Sequence, residues 1–110
     1  MSTTMDVEAV IAEADREFPA LYQLFGGYFH EDWRAEHATP DAAVKAFADE
    51  APPDAVAAAR SELDRLQSAG FDDHALARLL HAGFGSDYVP SDDGITTSQW
   101  LANVRALLVG

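Results

Sequence analysis

The apolar residues of this chain keep helical time, and proline and glycine punctuate them at the places where helices start and stop. In DVEAVIAEADREF, Val7, Val10, Ile11 and Ala14 fall at i, i+3, i+4 and i+7, with acids on the opposite face. Pro19 suits the first turn of a helix carrying Leu21, Leu24 and Phe25. Thr39-Pro40-Asp41 combines an N-cap hydroxyl, a proline at the first helical position and an acid at the positive end of the helix. The stripe Ala43, Val44, Phe47 follows and stops at Pro52-Pro53. The second proline opens DAVAAARSELDRLQSAG, with Val56, Ala59, Leu63 and Leu66 on one face and an Arg60–Asp64 pair at i, i+4 on the other. Thr96 and Gln99 have capping-box spacing ahead of a last helix bearing Trp100, Leu101, Val104, Leu107 and Leu108.

The glycines read as stops. Gly26-Gly27 is expected to end or bend the helix begun at Pro19, because glycine costs about 1 kcal/mol relative to alanine inside one. Gly70-Phe71 and Gly83-Phe84 each read as a left-handed glycine followed by an apolar residue that packs back, with Asp72 or Asp73 capping the short helix between them. No run of alternating β-branched residues and no Asn-Gly hairpin turn is present. The expected architecture is all-α: a single compact domain of five or six short helices around one core. Residues 1–17 form an N-terminal amphipathic helix and residues 18–110 the main helical domain.

Charge bounds the partners. Nineteen acids against seven bases give a net charge of −12, which disfavours phosphate contacts and hence direct nucleic-acid binding. A basic protein partner fits better, although acidity also serves solubility. With no cysteine, disulfides, thiolate metal sites and a Cys nucleophile are excluded. The N-terminus lacks the basic and apolar regions of a secretory signal, and no window approaches the roughly 18 apolar residues of a membrane span. A cytoplasmic location is the expectation, with no membrane partner.

One stretch invites a catalytic reading. FPALYQLFGGYFHEDW sets His30, Glu31 and Asp32 among aromatics and just before Trp33. Yet His30 and His37, like His74 and His81, lie seven apart, about 10 Å along a helix, which is too far for one metal. HEDWRAEH does not supply His-Glu-x-x-His. Ser86, Ser91 and Ser98 stand in no Gly-x-Ser-x-Gly elbow, and adjacent acids are not a pair held across a cleft. No metal, cofactor or catalytic residue is expected. The Leu and Phe of this region read as core, and Tyr22, Tyr28, Trp33 and Tyr88 as residues at the core edge or interface anchors.

These residues carry a family resemblance. FPALYQLFGGYFHEDW resembles the opening signature of CdiI-type immunity proteins from contact-dependent growth inhibition systems, matching at Phe18, Pro19, Leu21, Leu24, Gly27, Tyr28, Phe29, His30, Asp32 and Trp33. GFGSDYVPSDDGITTSQWLANVRALL resembles the closing block at Gly85, Tyr88, Pro90, Gly94, Ser98, Trp100 and Leu101, with Gln99 where an acid is expected. The resemblance spans residues 18–108 and leaves the first helix outside. It implies a small cytoplasmic protein that binds and blocks the toxic C-terminal domain of a cognate effector, commonly a basic nuclease, without catalysis. Pro19, Leu21, Gly27, Tyr28, Phe29, His30, Trp33 and Trp100 are then structural signature residues. Toxin contact is expected at acids beside the aromatics: Glu31, Asp32 and Glu36 from the first block, Asp87, Asp92 and Asp93 from the second. The alternatives are an acidic helical adaptor or regulatory module for another protein, and a small hydrolase using His30 and Asp32.

Overall fold

The computed structural model describes residues 7–108. Eight α-helical segments follow one another: α1 Val7–Ala12, α2 Ala14–Glu17, α3 Pro19–Tyr28, α4 Trp33–Glu36, α5 Pro40–Glu50, α6 Pro53–Ser68, α7 Asp73–Arg78 and α8 Thr97–Leu107. A π-helical turn, Leu79–Gly83, continues α7, and a 3-10 turn, Pro90–Asp93, precedes α8. No strand occurs among the described residues. The all-α expectation holds.

Helix starts follow the local chemistry. The Ala42 N–H donates to Thr39 Oγ1 at 3.1 Å and the Ala75 N–H to Asp72 Oδ1 at 2.8 Å. At α8 the box is reciprocal: Gln99 N–H donates to Thr96 Oγ1 and Thr96 N–H to Gln99 Oε1, both at 3.0 Å. Gly70 has the left-handed φ of 79° expected of it.

Four local expectations are corrected. Helix α3 continues through Gly26-Gly27 and ends one residue later, at Tyr28; Leu21, Leu24 and Phe25 are fully buried and hold its register through the glycines. Gly83 is not a left-handed stop: the Phe84 N–H reaches back five residues to the Leu79 carbonyl at 3.0 Å, and the left-handed glycine is Gly85, φ 73°. The wider turn lets Leu79, Leu80 and Phe84 all enter the core. The first amphipathic segment is interrupted at Glu13, splitting α1 from α2, and the part of it before Val7 lies outside the described residues. Asp64 pairs not with Arg60 but with Arg105 of α8, Nε to Oδ1 at 2.9 Å.

The core is one cluster. Helix α3 lies against α5 and α6, α8 against α5, α6 and α7, and α1 against the π turn. Two glycines permit close approach: a Cβ on Gly26 would stand 2.7 Å from the Phe84 carbonyl oxygen, and one on Gly83 would meet Leu79 Cδ1 at 2.7 Å.

The start of α3 is capped from a distance. Its N-cap position, Phe18, has no side-chain acceptor. Glu62 of α6 supplies one, its carboxylate accepting the Leu21 N–H at 3.0 Å and the Ala20 N–H at 3.3 Å. One turn on, Arg65 donates to the Glu17 carbonyl at 3.2 Å and lies over the Phe18 ring, 4.7 Å from its centroid.

Candidate functional site

Four aromatic side chains from distant parts of the chain meet at one end of the core. Phe29 follows α3, Trp33 opens α4, Trp100 sits in α8, and Tyr88 lies in the extended segment after the π turn. Tyr88 and Phe29 each meet the other three rings; the Tyr88 centroid lies 5.1 Å from Trp100, 5.6 Å from Trp33 and 5.8 Å from Phe29. Edge-to-face geometry at Trp100 and Trp33 suits the ring quadrupoles. All four are buried, so Trp33 and Tyr88 belong to the core rather than to an interface. Trp33 Nε1 is the one buried side-chain donor without a partner among the described residues.

This cluster brings the segments of the two acidic groups together. The Asp87 N–H donates to the Phe29 carbonyl at 2.7 Å, tying the segment after the π turn to the chain just before His30. That bond sets the backbone of the segment holding Asp87 beside the segment that continues into Glu31, Asp32 and Glu36; these four and Asp92 and Asp93 are all exposed. They are not equivalent. Asp93 accepts the Tyr88 hydroxyl at 2.7 Å and Glu36 meets His30 Nε2 at 3.4 Å. Glu31, Asp32, Asp87 and Asp92 have side chains with no protein partner among the described residues, which leaves their carboxylates open to solvent.

His30 has a structural position. Its Nδ1 accepts the Asp32 N–H at 3.1 Å, which places the ring proton on Nε2, facing Glu36. The ring thus meets the amide of Asp32 and not its carboxylate, so the pair lacks the geometry of an acid–base dyad. No group of three or more His, Cys, Asp or Glu among the described residues is placed to hold a metal ion.

Sequence reasoning missed several rim residues. Arg34 lies over the Trp33 indole at 4.6 Å from the ring centroid. Asp41 accepts from Asn103 at 2.9 Å, joining α5 to α8. The Tyr28 hydroxyl donates to Glu50 at 2.6 Å; that bond, burial and the carboxylate's charge push its pKa up to about 12. Burial first, then the bond to Asp93, raises Tyr88 as well. Apart from the adjacent Trp33 and Arg34 of α4, these pairings have no signal in sequence spacing, because each joins residues from separate elements or across an irregular segment.

Comparison with known proteins places the fold. The family model described as CdiI immunity protein matches residues 17–108. A chain in the crystal structure of a CdiA-CT/CdiI complex from Y. kristensenii aligns with a TM-score of 0.81 at 18% identity, covering 86% of this chain and 100% of that one. At such low identity that likeness speaks for the fold. No curated protein matches the sequence. The family match covers both blocks from FPALYQLFGGYFHEDW to the last helix, and by it this chain belongs to the CdiI immunity protein family.

Proposed function

We propose that this chain binds the C-terminal toxin domain of a cognate effector and neutralises it by occlusion, without catalysis. The observation that carries the reading is a set of exposed acids on two segments joined beside a buried aromatic cluster. The segments that carry these acids are tied together by the Asp87–Phe29 bond and by packing of Tyr88 on Phe29 and Trp33. On a chain of net charge −12, such a set suits a basic partner and speeds encounter with it. A nuclease is the natural candidate, since its substrate site is built to receive phosphates and carboxylates can stand in their place. A standard interface takes about 800 Å² per partner, a modest share of the 6065 Å² this chain exposes.

The first test is co-expression with the C-terminal domain of the cognate effector. Survival with this chain and death without it supports immunity; death in both cultures removes the reading. The second is replacement of Glu31, Asp32, Glu36, Asp87, Asp92 and Asp93 by alanine. Toxin affinity is expected to fall more than about tenfold, the equivalent of 1.4 kcal/mol, with the helical circular-dichroism spectrum retained. A smaller loss would rule out carboxylate mimicry as the basis of binding.

A further inference from the structure

Helix α3 stands apart from the rest of the surface. Its ten residues, PALYQLFGGY, include no charged side chain, in a chain where 24% of residues are charged. The inner face, Leu21, Leu24 and Phe25, is buried. Pro19, Tyr22, Gln23, Gly26 and Gly27 fall at i, i+3, i+4, i+7 and i+8 and form a single outer strip. All of these but Gly26 are exposed, and Tyr22 at 44% is the most exposed large hydrophobic among the described residues. At the C-terminal end of the strip, Tyr22, Gln23, Gly26 and Gly27 join Phe84 and Gly85 around an open depression of about 390 Å³.

Gly27 is the informative residue. Packing requires Gly26, but a Cβ on Gly27 would meet nothing within 4 Å, and its φ is not in the left-handed region. Glycine disfavours a helix relative to alanine, so neither the fold nor the backbone explains this one. What it does is keep the depression open beside an exposed tyrosine.

The surroundings of the depression favour a cation. Its lining is uncharged, with neither base nor acid, and α3 carries no basic residue in its last turn to offset the negative pole of the helix. Both walls lead into the acidic rim: Gly27 lies two residues before Phe29 and Gly85 two before Asp87, the pair joined at 2.7 Å. A long apolar stem ending in a positive charge fits this setting, with the stem along the uncharged strip, the Tyr22 ring available for a cation–π contact and the head toward the rim. Interfaces concentrate their energy in aromatic centres that a bound partner seals from water inside a polar rim.

We propose that the outer strip of α3 is the centre of the toxin contact, and that the depression beside Tyr22 and Gly27 receives an arginine or lysine of the toxin domain. This rests on the immunity reading above and adds the anchor site to it. The test measures binding of the purified cognate toxin domain to wild type, Gly27→Gln and Tyr22→Ala. Glutamine is a good helix former and its Cβ would meet nothing within 4 Å, so Gly27→Gln is expected to keep or raise the melting temperature while affinity falls about tenfold or more. Tyr22→Ala is expected to lose a similar factor. Alanine scanning of the toxin's basic residues then finds one whose removal weakens wild type about tenfold but Gly27→Gln less than about threefold. Both variants binding within about threefold of wild type would overturn the proposal while leaving the immunity reading intact. Coupling of Gly27 to an apolar toxin residue alone would overturn the basic anchor. A wild-type dimer that Gly27→Gln dissociates would make a second copy of the chain the occupant and overturn the toxin assignment. Absence of wild-type binding would remove the immunity reading itself.

Discussion

Glu62 shows how much one side chain can hold. It is 6% exposed and its carboxylate satisfies two N–H groups at the start of α3, where no local residue caps. A buried charge left at a helix N-terminus is favourable because the unpaired N–H groups and the macrodipole point at it. Glu62→Ala is expected to cost about 1–3 kcal/mol in urea unfolding, since both N–H groups lose a charged acceptor and neither regains full solvation. Glu62→Gln, which keeps an acceptor, should lose less. The tyrosines give a second prediction at this scale. Protonated Tyr28 donates to Glu50 and its pKa is pushed up to about 12, against about 10 in the unfolded chain. A raised pKa means that the stabilisation is fully present below pH 10 and is lost as pH rises through 12. In a spectrophotometric titration, tyrosinate absorbance should include a late component in this alkaline range. Tyr28→Phe should diminish that component and flatten the decline of stability between pH 10 and 12.

At the scale of elements, the adjacent glycines of α3 separate two roles that look identical in sequence. Gly26→Ala drives a methyl to 2.7 Å from the Phe84 carbonyl oxygen, a backbone atom that cannot swing aside, and is expected to destabilise by about 1–3 kcal/mol. Gly27→Ala meets nothing and should leave stability unchanged or raise it by up to about 1 kcal/mol. Thermal or denaturant melts of the two variants decide the matter. A helix stop was a fair expectation for Gly-Gly, but burial of Leu21, Leu24 and Phe25 outweighs the propensity of two glycines. Turns whose partners lie within four residues were legible: Thr39, Asp72, and Thr96 with Gln99 all cap as their spacing implied. Asp73 was not, because its carboxylate accepts the Thr97 and Ser98 N–H groups at 3.2 and 2.8 Å, joining α7 to the start of α8.

For the whole molecule, the field of a −12 chain acts before any contact forms. The association rate with a basic toxin domain should fall steeply as salt is raised through physiological ionic strength, where the Debye length is about 8 Å. Stopped-flow measurements should show a shallower salt dependence for the variant with all six rim acids replaced by alanine. The uncharged strip of α3 should instead act on dissociation, since anchors in desolvated centres set residence time. The six acids are an expectation from charge and loop position; all are exposed, and the Asp87–Phe29 bond ties their two segments together. Sequence reasoning had no means of ranking them, and it is the tertiary contacts that engage Asp93 and Glu36 while leaving Glu31, Asp32, Asp87 and Asp92 free to meet a partner.

The sequence by itself determined the helical class, most helix starts, the left-handed Gly70 and the family blocks, because periodicity and capping are written over a few neighbouring residues. Only the tertiary structure decided the continuity of α3, the remote cap from Glu62, the pairing of Asp64 with Arg105 rather than Arg60, and the meeting of Phe29, Trp33, Tyr88 and Trp100. Each of these depends on which surfaces the packed helices bring within a few ångströms, a separation that distance along the chain does not encode.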